Sequence, residues 1–553
     1  MITPQTFRTL GRSREIITIL LRHGFGQLLE QVGFPASFFL ERVVSKRPEA
    51  AKAALPARLR LVLEELGPTF VKFGQILSTR PDLIPKVYIQ EFSKLQEHVP
   101  PVPFQDIEQL ITDELGASPH DIFAEFERDP IASASIGQVH RARTVDGEIV
   151  AVKVQRPGIH KQVKADLRIL FYFAEMLEEH VEELQFYRPT EIIEEFRYYL
   201  FREMDYELEL RNLERFRDNF PDSSILAVPR PIRGLSTERV LTMEFLPGAS
   251  IAEAMNSPLA ERQALARNGL TIILQQVFRD GFFHADPHPG NVKVMPDGRL
   301  ALLDCGMVGR VAEHLKLRMA DLLLAVSSTN YRRVAEIVSE LGEARAELDR
   351  ERFERDVADI VDCYSTGRLA DVNTGEILED MMTVSLNHHL KLPANLSMMI
   401  KSLITVEQLG KALDPDVDVL SAAEPHLKAL LRERYSVKKN LEYLLSASRE
   451  YLRLLRRLPG EVSLILKKLK GGTLRIEMRH SGLERLIHAM EHSTNRISFS
   501  VIIAALIVGS SIVMRSGIGG TIFGYPALGF VGYTIAAVMG LWLVIMIARS
   551  GKI

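Results

Sequence analysis

One short segment constrains the fold of this chain more than any other, because it places acidic and amide side chains at a fixed spacing. It reads His284-Ala285-Asp286-Pro287-His288-Pro289-Gly290-Asn291, and a hydrophobic stretch leads from it to Leu303-Asp304-Cys305-Gly306. An Asp, an Asn five residues later and a second Asp are the set that phosphoryl transfer from ATP needs. One carboxylate would face the attacking hydroxyl or water, while the Asn amide and the later Asp would hold Mg²⁺ against the phosphates.

The spacing of this segment is that of the protein-kinase element H-R-D-x-x-x-x-N followed by D-F-G, although the residues between differ. Asp286 is therefore the candidate catalytic base or water-orienting group, and Asn291 and Asp304 are the candidate Mg²⁺ ligands. His284 is expected to support the loop backbone, whereas His288 could either approach the phosphates or cap the loop. Zinc ligation by His284, Asp286 and His288 is a less favoured alternative, since no cysteine or further histidine cluster supports it.

A candidate phosphate loop and a strand lysine lie upstream. Residues 148–154 form a β-branched run that predicts a strand, and Asp146-Gly147 predicts a hairpin turn before it. Lys153 ends this strand, where a kinase lysine reaches the α- and β-phosphates. The loop has one glycine in place of the kinase G-x-G-x-x-G, so we expect it to be stiffer while its backbone and hydroxyls contact phosphates. The predicted nucleotide-binding residues here are Ala132, Ser133, Ala134, Ser135, Ile136, Gly137, Gln138 and Val139.

Acid-rich sequence over residues 189–216 predicts a helix that supplies a partner for Lys153. Its candidate carboxylates are Glu203, Asp205, Glu207 and Glu209. One of them should pair with the lysine, while the others have other tasks or, for Glu207, lie on a solvated face.

A helix predicted over residues 67–79 places Lys72, Gln75 and Ser78 on one face through their i, i+3, i+6 spacing. Apolar residues fill its other faces. Docking of this polar face onto an acidic partner, with Glu203 and Asp205 available, is one interpretation. An exposed face of an amphipathic helix is the other.

The C-terminus carries two uncharged apolar runs, residues 499–514 and 527–548, separated by a Gly-rich turn. A membrane-spanning helix needs roughly 20 apolar residues, so the second run is long enough and the first would need Ile497 as well. Two spans are expected, with a buried hairpin in a soluble core as the alternative. The preceding flank, residues 428–496, holds sixteen Lys/Arg against seven Asp/Glu, which predicts a cytoplasmic body for the protein.

Composition excludes some classes of protein. The net charge of −3 argues against a dedicated nucleic-acid binder. The two cysteines, Cys305 and Cys363, provide no disulfide framework and favour a reducing compartment.

The pattern as a whole predicts an α+β, atypical protein-kinase-like bilobal fold with an N-terminal helical extension and a C-terminal transmembrane helical hairpin. The predicted regions are 1–57 (N-terminal helical region), 58–125 (helical extension with Lys72), 126–247 (N-lobe), 248–420 (C-lobe), 421–496 (basic helical linker) and 497–548 (two transmembrane helices).

These residues together resemble the UbiB family of atypical, protein-kinase-like proteins, as its bacterial, ubiquinone-biosynthesis type. The resemblance covers about residues 60–310 by motif. It is carried by Lys72-Phe73-Gly74-Gln75 with Ser78 and Arg80, the Ala-rich loop of residues 132–140, Val150-Ala151-Val152-Lys153, Glu203-Met204-Asp205-Tyr206, the His284–Asn291 segment and Asp304-Cys305-Gly306-Met307.

The resemblance implies roles that spacing alone does not give. Lys72 and Gln75 belong to helices that fold over the peptide site of a protein kinase, and Lys72 meets Glu203 and Asp205. Glu209 pairs with Lys153, and the nucleotide-binding set extends to Glu244. The family implies ATP and Mg²⁺ as cofactors, and it looks like ATPases stimulated by membranes and quinone-precursor-like lipids that support ubiquinone biosynthesis. Cys305 replaces the usual Phe, so the kinase switch based on Phe packing is not expected.

The expected function is a membrane-anchored Mg-ATP-dependent kinase or ATPase at the bacterial inner membrane, multi-pass, acting on or extracting isoprenoid quinone intermediates. A nucleotide-binding scaffold for quinone-biosynthetic enzymes, a small-molecule kinase and a protein kinase remain as alternatives. The expected partners are anionic headgroups near the basic segment 428–470, isoprenoid quinone intermediates and other quinone-biosynthesis proteins. A homodimer is left open, and no nucleic acid is expected.

Overall fold

The computed structural model describes residues 4–434, apart from 27–28, 30–53, 81–82, 96–99, 182–186, 222, 345–347, 366–373 and 418, and residues 467, 470 and 483–549, apart from 517–519 and 523–524. The chain divides into two compact units, residues 1–442 and residues 443–553. Much of the predicted N-terminal region 1–57 and most of the predicted basic linker 421–496 lie outside the described residues.

Helices precede the first sheet. They are α1 (Pro4–Arg22), α2 (Leu55–Leu66), α3 (Pro68–Ser78), α4 (Lys86–Phe92), α5 (Phe104–Leu115) and α6 (Pro119–Ile122). Gly67 has φ 93° and separates α2 from α3, a conformation that glycine adopts without steric cost. Arg12 on α1 donates hydrogen bonds to the buried Asp166 carboxylate (2.8 Å) and to the Leu66 carbonyl (2.6 Å), so α1 is tied both to α2 and to a later helix.

An antiparallel sheet forms the N-lobe. The elements that follow α6 are β1 (Phe123–Phe126), β2 (Ala132–Ser133), β3 (Gly137–Thr144), β4 (Ile149–Gln155), α7 (Ile159–His180), α8 (Pro189–Glu203), α9 (Tyr206–Asn219), β5 (Leu226–Ala227) and β6 (Val240–Glu244). The sheet order is β1-β3-β4-β6, with β2 paired to β3. Gly147 has φ 85° in the predicted turn between β3 and β4. The strand β1 corrects the prediction of a purely helical extension to residue 125, because Phe123 and Phe126 are buried against β3.

The predicted continuous helix over residues 189–216 is also wrong in one respect. The segment forms α8 and α9 with a break at Met204 and Asp205. The Asp205 carboxylate accepts a hydrogen bond from the backbone N–H of Leu208 (3.0 Å), so Asp205 is the N-cap of α9. Capping by Asp starts a new helix because it satisfies one of the otherwise unpaired N–H groups of the first turn.

The C-lobe is mainly helical. Its elements are β7 (Ala249–Ser250), α10 (Ile251–Ala254), α11 (Leu259–Leu274), β8 (Phe282–His284), β9 (Val292–Val294), β10 (Leu300–Leu302), β11 (Val308–Arg310), α12 (Glu313–Ser327), α13 (Tyr331–Leu341), β12 (Glu343–Ala344), α14 (Arg350–Ser365), α15 (Thr374–Asn387), β13 (Leu390–Lys391), α16 (Ala394–Leu413) and α17 (Val419–Arg434). One hydrophobic core extends from these helices to α9 and the inner face of β4 and β6.

Short strand pairs in the C-lobe position the motif segments. β8 pairs with β11, with His284 opposite Val308, and β9 pairs with β10, with Val292 opposite Leu302. The turn after β8 and the turn after β10 are therefore held side by side. This is the local reason that the two halves of the motif, far apart in sequence, share one location.

The second unit contains α18 (Leu483–Ser516), β14 (Thr521–Ile522), β15 (Tyr525–Pro526) and α19 (Ala527–Arg549), which form a helical hairpin. Gly532 packs so closely against Ser510 that a Cβ could not be accommodated without movement. Among the described residues, Ile497–Arg515 is a helix of 19 residues that is long and apolar enough to cross a membrane. Only 6% of its most apolar stretch is buried in the structure. The second apolar run lies in α19, a helix of 23 residues.

Candidate nucleotide and phosphoryl-transfer site

A cleft of about 1040 Å³ lies between the lobes of the first unit and gathers most of the predicted site. The predicted residues that line it are Lys72, Gln75, Ala132, Ala134, Ile136, Gly137, Val139, Lys153, Glu203, Glu244, Asp286, Asn291 and Asp304. The lining does not include Ser133, Ser135, Gln138, Asp205 or Glu209, all of which are described residues.

Lys153 lies at the centre of the cleft floor. Its ammonium donates to both carboxylate oxygens of Glu209, at 3.1 and 2.8 Å, and to Oδ2 of Asp304 at 2.9 Å. It also lies 5.1 Å from the centre of the Tyr206 ring. The strand lysine, its helix glutamate and the candidate metal ligand thus form one cluster with one cation and two carboxylates, in which Glu209 is buried and Asp304 is partly exposed to the cleft.

This imbalance of charge shapes the ionisation of the cluster. Burial and the neighbouring Asp304 carboxylate raise the pKa of Glu209 to about 7, against the opposing effect of Lys153. Burial would also raise the pKa of Asp304, but Lys153 and the N–H of Gly306 (2.9 Å) outweigh it and hold that pKa below its usual range. With both acids ionised, the cluster carries an excess negative charge, which a divalent cation would neutralise.

His284 connects the two halves of the motif. Its Nε2 lies 2.5 Å from the carbonyl oxygen of Asp304, and its Nδ1 accepts the backbone N–H of Asp286 at 3.1 Å. The Ser402 hydroxyl donates to the His284 carbonyl, and the Gln276 side chain accepts the His284 N–H. Burial lowers the pKa of His284, which favours a neutral ring that donates through Nε2. These contacts match the backbone-supporting role expected of His284.

The remainder of the loop is closed by Asn291 and His288. The Asn291 amide nitrogen donates to the Asp286 carbonyl at 3.2 Å, and no described residue bonds its side-chain oxygen. His288 Nδ1 accepts the N–H of Gly290 at 3.0 Å, so His288 caps the loop, and its Nε2 lies 3.8 Å from Asp286. Both ring nitrogens of His284 are occupied, and the described part of the chain holds no cluster of three His, Cys, Asp or Glu side chains suited to a metal. The zinc alternative therefore finds no support in this geometry.

The phosphate loop is held by a residue outside its own motif. Arg156 Nε donates to the Ala134 carbonyl, its Nη2 donates to the Ser133 hydroxyl and its N–H donates to the Ile136 carbonyl, all at 2.9 Å. None of residues 132–137, all of which the structure describes, has positive φ, so the alanines carry no left-handed strain. Sequence analysis missed Arg156, although a cation so soon after the strand lysine was the available signal.

Gly137 is needed where it stands for reasons of space. A Cβ on Gly137 would lie 2.8 Å from the Val154 carbonyl oxygen and would collide with the Tyr206 hydroxyl. The next side chain, Gln138, turns into the N-lobe, where its Oε1 accepts the N–H of Val102 at 2.9 Å and its Nε2 meets His140. The Gln138 side chain therefore stabilises the lobe rather than lining the cleft.

Helix α3 lies over one end of the cleft. Lys72 forms an ion pair with Glu203, and both side chains are nearly buried. Gln75 donates to the Leu95 carbonyl at 3.2 Å, and a Cβ on Gly74 would overlap the side chains of Leu95 and Leu63. The Lys-Phe-Gly-Gln sequence therefore places two polar groups in the cleft and allows close packing behind them. The exposed-face interpretation of this helix is wrong.

The opposite end of the cleft is an apolar slot beside the connection between the lobes. Its walls come from both lobes, namely Val139, Ala151, Met243, Phe245, Leu246, Leu303 and Met307. Glu244, at the end of β6, accepts the N–H of Arg230 at 3.2 Å. Lys401 on α16 also lines the cleft and was missed by sequence analysis, because it lies 95 residues after Gly306, the last residue of the motif.

Comparison with known proteins assigns this arrangement to a family. The ABC1 atypical kinase-like domain matches residues 94–338, the UbiB helical domain matches residues 357–418, and the ABC1/UbiB kinase-like C-terminal domain matches residues 481–549. A "Probable protein kinase UbiB" of Pseudomonas paraeruginosa is 36% identical over 391 residues, which are 70% of this chain and 73% of that protein. The chain belongs to the UbiB family of atypical kinase-like proteins.

Other relatives extend this similarity. An "Uncharacterized protein in hydrogenase 1 5'region" of Clostridium pasteurianum is 32% identical over 545 residues, covering 98% of this chain and 99% of that protein. A solved structure, the complex of Rv3197 with erythromycin from Mycobacterium tuberculosis, matches with a TM-score of 0.48 at 24% identity, over 64% of this chain and 90% of that one. The resemblance drawn from the motifs is confirmed, and with it the atypical kinase-like, mixed α and β fold of this UbiB family member.

Proposed function

We propose that this UbiB family member is a membrane-anchored, Mg-ATP-dependent atypical kinase or ATPase that supports ubiquinone biosynthesis. In this proposal ATP hydrolysis is coupled to access to, or extraction of, isoprenoid lipid intermediates. The observation that carries it is the bonded cluster of Lys153, Glu209 and Asp304 beside a cleft that Asp286 and Asn291 also line. In protein kinases, this lysine, glutamate and aspartate bind phosphates together with a divalent cation.

The residues present fit Mg²⁺. Asp304 and Asn291 offer oxygen ligands of the kind that Mg²⁺ prefers, and Lys153 alone does not neutralise the two acids beside it. The positive charge of Mg²⁺ would offset the negative charge of the phosphates. Asp304 and Asn291 would hold the ion. His284 would keep Asp304 in place through the Asp304 carbonyl, and the Asp286 carbonyl would do the same for the Asn291 amide.

The other groups have separate tasks. Lys153 would bind the α- and β-phosphates, oriented by Glu209 as in protein kinases. The apolar slot suits the adenine ring, and the loop of residues 132–137 would cover the phosphates with its backbone. Asp286 would orient the nucleophile and accept its proton.

The position of α3 favours a small acceptor over a polypeptide. The Lys72–Glu203 ion pair and the packing of Gly74 fix this helix over the cleft, where a peptide would have to enter. Water or a compact hydroxyl compound can reach Asp286 without displacing the helix. This supports an ATPase or small-molecule kinase over a protein kinase.

The second unit supports the membrane part of the proposal. Large apolar side chains of its hairpin are exposed to solvent, for example Val501, Ile512, Leu528 and Leu541. An exposed apolar surface of this length is unstable in water and suited to lipid. In this proposal the body faces the cytoplasm of the bacterial inner membrane, and its lipid partners are anionic headgroups and isoprenoid quinone intermediates.

Substitution of Asp286 tests the proposal. The full-length protein in anionic liposomes, with a phenolic quinone-precursor mimic, should release phosphate from Mg-ATP, and Asp286→Asn should lower that rate about 10³-fold, the usual range for loss of a general base. Binding of Mg-ADP should persist. Asp297→Asn, an exposed acid paired with Arg299 at 2.7 Å, is the matched control and should act like wild type. Equal turnover by wild type and Asp286→Asn would reject the enzyme and favour a nucleotide-binding scaffold.

A further inference from the structure

Helix α16 presents a polar stripe to the cleft. Lys401, Thr405 and Gln408 line the cleft and follow one another at i, i+4 and i+7, which places them on one face. The residues between them are mostly buried, including Ser402 and Val406. An otherwise apolar core helix therefore opens one polar face toward the candidate phosphoryl-transfer site.

A hydrogen bond fixes the position of this stripe relative to residues 284–291, which are called the catalytic loop because they contain the candidate base Asp286. The buried Ser402 hydroxyl donates a hydrogen bond of 2.7 Å to the carbonyl of His284. Lys401 precedes Ser402 in the sequence, so the same hydrogen bond also holds Lys401 close to the loop that contains Asp286. The Thr405 hydroxyl donates to the Lys401 carbonyl at 2.9 Å. Lys401 is the charged residue among the three that form the stripe.

Lys401 is a half-buried cation that lacks a protein partner among the described residues. No carboxylate in the described part of the chain forms an ion pair with it. Its nearest acids, Glu379 and Asp286, act only at longer range, and Glu379 is paired with Lys86 at 2.8 Å. Burial lowers the pKa of Lys401, which reflects the cost of desolvating its charge. A half-buried lysine without a carboxylate partner is suited to binding an anionic group of a ligand.

The other lysines of the cleft bond to acids or lie elsewhere. Lys153 is held by Glu209 and Asp304, and Lys72 by Glu203. Lys293 lies beside Gly248, near the connection between the lobes. The loop between Asp286 and Asn291 contains no lysine or arginine. Near Asp286, therefore, Lys401 is the cation that could meet the terminal phosphate.

We propose that Lys401 binds the γ-phosphate of ATP and neutralises its charge during transfer. This inference rests on the proposed function. In the step, the attacking oxygen forms a bond to the γ-phosphorus, the bond from that phosphorus to the bridging oxygen breaks, and the electron pair leaves with ADP. Asp286 takes the proton of the nucleophile. Lys401 is not a base in this step, because its role is to offset the charge on the transferred oxygens.

Comparison of two nucleotides tests the assignment. Lys401→Met in the full-length protein should weaken binding of Mg-AMPPNP, which has a γ-phosphate, by about tenfold, the value of one charge-assisted contact. Binding of Mg-ADP should stay within about twofold of wild type. Lys401→Arg should retain most of the affinity for Mg-AMPPNP. Lys164→Met removes an exposed lysine of α7 that does not line the cleft and is the control.

The possible outcomes separate the two proposals. If wild type binds neither nucleotide, the proposed function fails and this inference fails with it. If wild type binds both and Lys401→Met changes neither or weakens both equally, only the assignment of Lys401 is overturned. Because removal of a desolvated charge relieves strain on folding, Lys401→Met should melt no lower than wild type. A clear drop in melting temperature would identify Lys401 as a structural residue and would also overturn the proposal.

Discussion

The catalytic loop and the phosphate loop face the same cleft but are held in different ways. In the catalytic loop, motif residues support one another, since His284 contacts both Asp286 and Asp304, and Asn291 contacts Asp286. The phosphate loop depends on Arg156, which lies beyond its motif. The motif that contains His284 therefore includes much of its own support, with further bonds from Ser402 and Gln276, whereas the phosphate-loop motif does not include the side chain that holds it.

Among substitutions that test how the two loops are held, replacement of His284 should lower the rate of phosphate release the most. His284→Leu keeps the approximate size of the side chain but removes both bridging hydrogen bonds, so Asp286 and Asp304 lose their common support. We expect the rate of phosphate release to fall by about 100-fold, in the range seen when partners of metal ligands are removed. Steady-state kinetics over a series of Mg²⁺ concentrations would show the loss as weakened metal activation. An unchanged dependence on Mg²⁺ would mean that the loop holds itself without His284.

Replacement of Arg156 should have a smaller effect of a different kind. Arg156→Gln removes side-chain contacts to the Ala134 carbonyl and the Ser133 hydroxyl, which frees the phosphate loop but leaves the catalytic loop intact. The KM for ATP should rise by about tenfold, with a change in kcat of less than about threefold. Ser133→Ala is the control, because the Ser133 hydroxyl accepts from Arg156 and does not line the cleft, and it should change KM by less than about twofold. A large effect of Ser133→Ala would favour the sequence prediction of a phosphate-binding hydroxyl.

The smallest expected effect concerns pH. The pKa of Glu209 is raised to about 7, so its contribution to stability is full at low pH and is lost as the pH rises through that value. Without nucleotide, the melting temperature should fall by roughly a few degrees between pH 5 and pH 8, and Glu209→Gln should flatten that slope. The depressed pKa of Asp304 acts only at lower pH and leaves this window unaffected. Thermal melts of both proteins over this range provide the measurement, and parallel slopes would assign the pH dependence to other groups.

Much of the first unit could be predicted from local pattern. The β3–β4 hairpin follows from β-branched alternation and the Asp146-Gly147 turn. The pairing of Lys153 with Glu209 follows from the family resemblance, since spacing alone left the choice among several carboxylates open. The break at Asp205 was missed, because the acid-rich run continues through it and only the cap reveals two helices. Strand β1 was missed because four residues are too few to show a period.

Contacts between distant segments explain the remaining failures. Lys401 enters the site through the packing of α16 against the catalytic loop, which depends on the Ser402 hydrogen bond and on no local signal. Arg156 acts on the phosphate loop only after β3 and β4 have paired. In both cases the residue type is ordinary and tertiary structure alone gives it a role.

The sharing of Lys153 between Glu209 and Asp304 has a consequence for how ligands assemble in the cleft. Under the proposed function, the lysine that bonds to Asp304 would compete with a metal for that carboxylate. Phosphates that drew the lysine away would free Asp304 for a metal, and a metal held by Asp304 would free the lysine for phosphates. Each ligand would then increase the affinity for the other by the same factor, as thermodynamic reciprocity requires. We therefore expect metal and nucleotide to bind cooperatively, each more tightly in the presence of the other.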